Sequence, residues 1–420
     1  RGGGGFPTGQ KWQVAHDTLG EDKFVICNAD EGDPGAYMDR TVLESDPHSM
    51  IEGIIIGAYA IGARQGYVYI RDEYPLAVKR LSIAIEQARE FGFLGSKIFG
   101  TEFDFSLELM RGAGSFVCGE ETAMIASIEG GIGEPNPKPP YPAVAGLWGK
   151  PTLINNVKTW ATVPAIVMKG AEWYSSFGSV GNAGTVVFSL VGQVANNGLV
   201  EIPLGMSLDE LLKEIGGGSE NGKAIKAVQT GGPSGGCLPA TKFDLPIEYE
   251  GLKDAGSMMG SGGMVVLDES SCMVDVARYF LDFTSVESCG KCVACREGNY
   301  HLKEILDRIV QGQGTGDDLS LLEEVGETIK AGSLCGLGQS SPNPVLSTLR
   351  YFRNEYLAHI EEHKCPAHVC RELNTYRINP EICVQLGHGC GVCRRACPEN
   401  AIFGEKNRSH RIDLNLCQKC

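Results

Sequence analysis

Thirteen of the chain's sixteen cysteines lie beyond residue 270, and three of them, Cys289, Cys292 and Cys295, stand three apart in SCGKCVACREG. Thiolates at i, i+3 and i+6 can converge on one inorganic cluster, whereas a tetrahedral zinc usually takes its cysteines in pairs. A chain carrying such a run must fold so that a fourth ligand reaches the same point. The next cysteine is Cys335, in the glycine-flanked AGSLCGLGQ. Glycines leave room for sulfide and offer it backbone N–H groups. Cys289, Cys292, Cys295 and Cys335 are therefore expected to hold one 4Fe-4S cluster; a structural zinc at the same sulfurs is the weaker reading. The three early cysteines, Cys27, Cys118 and Cys237, have no partner at ligand spacing and read as buried or pocket-lining thiols.

The surrounding pattern gives the organisation. KFVICNADE, GYVYI and FDFSLELM read as strands, and SMIEGIIIGAYAIGA, PLAVKRLSIAIEQAREFGF and ETAMIASIEG as helices. Alternation of this kind predicts a parallel α/β sheet, whose ligands gather at the carboxyl ends of the strands. RGGGGFPTGQKW, NADEGDPG and GSFVCGEE fall there. After the proline-rich EPNPKPPYP, short strands and one helix (SLDELLKEIG) suggest a small α+β module. DVARYFLDFTSVES, NYHLKEILDRIV, DDLSLLEEVGETIK and NPVLSTLRYFRNEYLAHI then read as a four-helix bundle. The final forty residues hold many cysteines and little core, so metal must organise them. With a net charge of -15, nucleic acid is not an expected partner. No apolar run reaches the ~18 residues of a membrane span. Without a secretory signal, the expectation is a cytoplasmic protein with free thiols. Arg1 opens inside a loop with no strand before it, so further sequence is expected upstream.

RGGGGFPTGQKW, NADEGDPGAYMDR, CGEETAMIASIEG, KPPYPA, PTLINNV and SCGKCVACREG with GSLCGLG, in this order, resemble the NADH-binding, FMN-carrying subunit of respiratory complex I and its relatives in soluble hydrogenases and formate dehydrogenases. The resemblance implies a Rossmann-like flavin and NADH domain over residues 1–176 and a ubiquitin-like SLBB domain over 177–270. It further implies a helical bundle with a 4Fe-4S cluster over 271–375 and an incomplete two-cluster ferredoxin-like domain over 376–420. For FMN it implies Gly2, Gly3, Lys11, Asn28, Asp30, Glu31, Gly119, Glu120, Asn155, Asn156 and Thr159. For NADH it implies stacking on Phe6 and Tyr141, contacts from Glu121 and Asp33, and Lys138 at the polar end. Glu120 and Glu121 are the expected catalytic acids. Many relatives have glutamate at the position of Asp33 and an aromatic residue at that of Val14. An acid facing the ribose 2′-hydroxyl favours NAD over its phosphorylated form.

Beyond this, GCGVCRRACPENAI and NLCQKC look like parts of a bacterial ferredoxin. The usual first ligand position is Gly387, so Cys383 is expected to join Cys390 and Cys393, while Cys397 joins Cys417 and Cys420. Each cluster needs residues beyond the end. HIEEH and CPAHVC offer mixed imidazole and sulfur, and a structural zinc on His359, Cys365, Cys370 and Cys272 is expected.

The function implied is hydride exchange between NADH and FMN, with single electrons passed to 4Fe-4S clusters, in a soluble electron-bifurcating hydrogenase-type complex. The partners implied are a 2Fe-2S thioredoxin-like subunit, a catalytic subunit such as an [FeFe]-hydrogenase, and ferredoxin. A formate dehydrogenase or NADP-linked transhydrogenase module, or a non-catalytic iron–sulfur scaffold, is the alternative.

Overall fold

The structure is a computed structural model and describes residues 2–385, 390–404 and 408–419. Its first layer follows the alternation. After α1 (Thr8–Asp17) come β1 (Phe24–Ala29), α2 (Met38–Ser45), α3 (Pro47–Ile61), β2 (Gln65–Arg71) and α4 (Pro75–Glu90). They are followed by β3 (Ser106–Gly112), α5 (Glu121–Ile128), β4 (Thr152–Asn156) and α6 (Val157–Lys169). The four strands form a parallel sheet in the order β3-β2-β1-β4. Helix α3 shows why these segments stop and start where they do. Asp46 accepts the Ser49 N–H at its head, Pro47 occupies its first turn, and Gly62 ends it with φ +76. Gly53 and Gly57 let α3 approach α6 so closely that a Cβ at either would collide with Trp160, a fully buried residue that packs on Trp12 at 5.5 Å.

A short helix, α7 (Ala171–Ser175), and a two-residue ribbon, β5 (Gly178–Ser179) with β6 (Asn182–Ala183), lead into the second layer. There β7 (Thr185–Gly192), β8 (Gly198–Pro203), β9 (Ile225–Thr230), β10 (Gly236–Pro239) and β11 (Gly263–Asp268) make a mixed sheet in the order β10-β9-β11-β7-β8. SLDELLKEIG starts as α8 (Leu208–Glu210) under a capping box between Ser207 and Glu210, then passes into a wider turn over Leu211–Ile215. A further helix, α9 (Tyr249–Asp254), precedes β11.

The third layer is helical: α10 (Met273–Val286), α11 (Val293–Val310), α12 (Gly316–Gly332), the short α13 (Gly336–Ser340) and α14 (Asn343–Ile360). The four long helices enclose Ala277, Leu281, Leu302, Leu306, Leu322 and Leu349. Helix α11 begins before the expected NYHLKEILDRIV segment: Cys292 caps it, so Cys295 sits in its first turn. The tail contributes α15 (Pro380–Gln385), α16 (Val392–Ala396) and a hairpin of β12 (Ile402–Phe403) with β13 (Arg411–Ile412). Among the described residues, no helix is long and apolar enough to cross a membrane.

Candidate flavin and iron–sulfur sites

The parallel register sets Asn28, at the end of β1, opposite Asn156, at the end of β4. A cavity of about 580 Å³ opens beyond these strand ends. The glycine-rich loop and the 3-10 turn Phe116–Gly119 form part of its wall. Gly3 lies so close to the Gly260 carbonyl that a Cβ would fill the gap. Asn28 donates to the Gly119 carbonyl at 2.8 Å and so fastens the turn to β1.

The polar wall is acidic and buried. Both oxygens of Glu31 accept N–H groups at the head of α2, from Asp39 and Arg40 at 3.0 Å each. Asn156 donates to Asp39 at 2.5 Å, and Lys158 reaches the Ser261 carbonyl at 2.6 Å. Burial pushes Asp30 up to about 7 despite the nearby Arg71 guanidinium. Burial and the charge of Asp39 push Glu31 up to about 7, and burial takes Asp33 to about 6. Among the described residues, Asp30 Oδ2 and Asp39 Oδ1 are buried with no hydrogen-bond partner. Unsatisfied buried acceptors are costly unless a ligand supplies donors. A cavity with orphaned acceptors, glycine backbone and the apolar Val117, Val163 and Leu337 fits a flavin with its hydroxylated side chain.

At one edge, Glu120 caps α5, accepting the Thr122 and Ala123 N–H groups at 2.8 and 3.1 Å. Burial would raise this carboxyl, but hydrogen bonds from Lys138 and Thr122 outweigh it and leave it lowered. Lys138 pairs with Glu120 at 2.7 Å and Glu121 at 3.5 Å, and Glu121 pairs with Lys11 at 2.7 Å. Phe6 and Tyr141 are exposed rings, 55% and 59% accessible, available to stack on a planar ligand.

The cavity is also lined by Gly336, Leu337 and Ser340, from the segment that follows Cys335. Cys292 Sγ accepts the Leu334 N–H at 3.4 Å, which brings the Cys289–Cys295 run against the Cys335 loop. Burial raises the Cys295 thiol, and Cys335, Cys289 and Cys292 add to this through their charge. These four sulfurs do not all lie within 4.8 Å of one another. Among the described residues, the one Cys, His, Asp and Glu set whose ligand atoms all lie within 4.8 Å is Cys272, His359, Cys365 and Cys370. The thiolates of a 4Fe-4S cluster stand further apart than the ligands of a single ion, so the bundle cysteines need not meet that spacing.

In the compact set, His359 Nε2 lies 3.4 Å from Cys272 Sγ and 3.2 Å from Cys370 Sγ, while Cys272 and Cys370 are 3.6 Å apart. All four residues are buried. His359 Nδ1 faces the Glu355 carbonyl at 2.7 Å, which orients the ring with Nε2 inward. Such a set fits one tetrahedral zinc. His363 is exposed and outside it.

In the tail, His410 faces Cys393 Sγ through Nδ1 at 3.1 Å and donates its backbone N–H to Cys383 Sγ at 3.4 Å. Cys397 accepts from Ala401 and Cys417 from Lys419. Cys390 is half-buried. Gly387 and Cys420 lie outside the described residues.

Of the expected flavin residues, Gly2, Gly3, Asn28, Asp30, Glu31, Gly119, Glu120, Asn156 and Thr159 line the cavity, as does Asp33. Asn155 does not. It is the strand neighbour of Asn156 and so faces the other side, against the Trp12 indole N–H at 2.8 Å. Sequence reasoning missed Asp39, Lys158 and the Gly260–Gly262 turn of the second layer. Lys158 adjoins Asn156 at the head of α6, a position open to anion or flavin contact; the Gly260–Gly262 turn carries no local signal.

Family models match in three segments: the Nuo51 FMN-binding domain over residues 1–165, the SLBB domain over 187–238, and the NADH-ubiquinone oxidoreductase-F iron-sulfur binding region over 275–359. The NADP-reducing hydrogenase subunit HndC of Solidesulfovibrio fructosivorans is 57% identical over 410 residues, covering 98% of this chain and 83% of that protein. An NADH-quinone oxidoreductase subunit of Rhizobium meliloti (strain 1021) is 47% identical, covering 88% and 87%. Among solved structures, a chain of an NAD+-reducing [NiFe]-hydrogenase in the H2-reduced state matches with a TM-score of 0.79 and 36% identity. That match covers 86% of this chain and 60% of the solved one. The chain therefore belongs to the complex I 51-kDa family of NADH oxidoreductase flavoproteins, with an FMN-binding domain, an SLBB domain and an iron–sulfur binding region.

Proposed function

We propose that this chain exchanges a hydride with NADH and delivers electrons singly to the cluster of Cys289, Cys292, Cys295 and Cys335, as the flavoprotein subunit of a hydrogenase-type complex. One observation carries the reading: the cavity that suits FMN is walled on one side by the nucleotide-binding layer and on another by Gly336, Leu337 and Ser340, next to a cluster ligand. When bound, FMN supplies the conversion between two-electron hydride chemistry and one-electron transfer. The residues then divide the work. Asp30, Asp39, Asn156 and Lys158 bind and orient the polar side chain of the flavin, and the Phe116–Gly119 turn excludes water from one face. Lys11, Glu120, Glu121 and Lys138 form a network of alternating charge that positions the dinucleotide, with Phe6 and Tyr141 as stacking surfaces. Asp33 belongs to the same wall and supports selection for NAD.

The zinc reading of Cys272, His359, Cys365 and Cys370 rests on their convergence within 4.8 Å. The ferredoxin-like reading of the tail rests on the pairing of Cys383 with Cys393 around His410. The tail is strapped to the zinc loop where Arg371 donates to the Gln418 carbonyl and Lys419 pairs with Glu372. The domain division at residues 176, 270 and 375 is supported by the breaks between the parallel sheet, the mixed sheet and the long helices. Ferredoxin, a 2Fe-2S thioredoxin-like subunit and a hydrogenase catalytic subunit are the partners this reading supplies. The test is anaerobic mixing of the flavin-loaded protein with NADH or NADPH. Rapid bleaching of flavin by NADH supports the reading; an absence of bleaching by either nucleotide refutes it, and a preference for NADPH refutes the choice of NAD.

A further inference from the structure

Three of the four thiols of the bundle cluster differ in what hydrogen-bonds their sulfur. Cys292 takes a backbone N–H from Leu334, and Cys335 takes backbone hydrogen bonds from Gly338 and Leu337. Cys295 is instead reached by two side chains: Ser288 Oγ at 3.3 Å and Asn299 Nδ2 at 3.5 Å. Asn299 is fully buried in α11, one turn beyond Cys295. Asparagine is a weak helix former, and a buried amide is costly unless paired. An apolar side chain would serve packing better. The amide is paired at both ends, because its Oδ1 accepts the Ser341 hydroxyl at 2.9 Å and Ser341 is itself fully buried. That bond fixes the orientation of the amide and leaves Nδ2 turned toward the sulfur. Ser341 lies six residues after Cys335, so the bridge Cys295–Asn299–Ser341 joins the two segments that carry the ligands.

We propose that Asn299, oriented by Ser341 and assisted by Ser288, sets the reduction potential of the bundle cluster. Reduction adds one electron, and therefore negative charge, to the iron and its sulfurs. N–H and O–H groups aimed at Cys295 stabilise that added charge and raise the potential. The effect is to make the cluster a better acceptor for electrons leaving the flavin cavity. Asn299 is a positioning residue that acts through Cys295, and the inference rests on the reading of the four cysteines as a cluster.

The experiment is an EPR-monitored redox titration of the full-length subunit in its assembled complex, purified anaerobically, with iron content measured on each sample. The bundle signal is identified as the one lost in Cys335→Ser. Asn299→Leu keeps the volume and removes the donor, and its midpoint is expected to move to a more negative potential at unchanged iron content. Ser341→Ala and Ser288→Ala should shift it in the same direction by less. Flavin bleaching by NADH should keep its wild-type rate in all three. An unchanged midpoint in Asn299→Leu at full iron content overturns the proposal. If that variant loses iron, Ser288→Ala decides at its half-buried position, where an unchanged midpoint is equally fatal. If Cys335→Ser alters neither iron content nor any signal, the cluster reading fails and the tuning role falls with it.

Discussion

The flavin cavity and the Cys272–His359–Cys365–Cys370 site are both built from buried polar groups, yet they treat those groups in opposite ways. In the second, every ligand atom lies within 4.8 Å of the others, an arrangement that could hold one metal ion between them. In the first, among the described residues, Asp30 Oδ2 and Asp39 Oδ1 are left without partners, and burial drives the Asp30 and Glu31 carboxyls toward neutrality. A closed set stabilises the fold; an open set gives up stability to receive a ligand. Changes to the two regions should therefore move different observables.

The largest effect on stability is expected at the closed set. Cys370→Ser should remove one equivalent of zinc and lower unfolding stability by about 3–5 kcal/mol, the scale of breaking a buried charged group from its partners. Flavin bleaching by NADH should survive. Metal analysis with calorimetry checks this, and zinc absent from the wild-type protein would remove the basis of the comparison.

At the open set, the sign should reverse. A carboxyl whose pKa is raised by folding holds its proton where the unfolded chain has lost it. Its contribution to stability therefore declines as pH rises from about 4 to about 7 and stays unfavourable above. In protein stripped of FMN, Asp30→Asn should abolish part of that decline and stabilise by on the order of 2 kcal/mol at pH 8. The same change should weaken flavin retention. Denaturation at pH 5 and pH 8 measures the first and flavin release the second. A variant less stable than wild type at pH 8 would mean that Asp30 is held by its pairing with Arg71 after all.

A smaller effect is expected at the edge of the cavity. Lys138→Met removes the cation shared by Glu120 and Glu121 and should raise the KM for NADH about tenfold, or ~1.4 kcal/mol. Stability should change by less than about 0.5 kcal/mol, because the lysine is partly exposed. Steady-state kinetics would contradict the assignment if KM were unchanged.

Much of this contrast could be read from sequence because both sites use short, patterned segments. KFVICNADE and PTLINNV are apolar runs ending in polar residues, and the parallel register that follows from βαβ alternation places Asn28 beside Asn156. The three-residue spacing of Cys289, Cys292 and Cys295 announces a cluster before any fold is known. Cys272, 87 residues before His359, could be assigned only as a cysteine with no other site; packing of α10 against α14 makes the meeting physical. What stayed hidden depends on contacts between elements far apart in sequence. The Gly260–Gly262 turn and Asp39 enter the cavity because whole elements dock, and no periodicity encodes that. Asn155 shows the converse, since strand alternation alone separates it from Asn156.

The proposed path takes electrons out of the flavin cavity through the cluster beside it. Two rates on one variant, Cys335→Ser in the assembled complex, decide whether it does: flavin reduction by NADH, and reduction of ferredoxin or an equivalent acceptor downstream. The cavity residues that receive FMN lie mainly in the first layer, so flavin bleaching should keep its wild-type rate. Serine oxygen is a poorer ligand for iron, so downstream reduction should fall by at least about 100-fold. Equal downstream rates in variant and wild type, with the helical layer still folded, would show that electrons take another route.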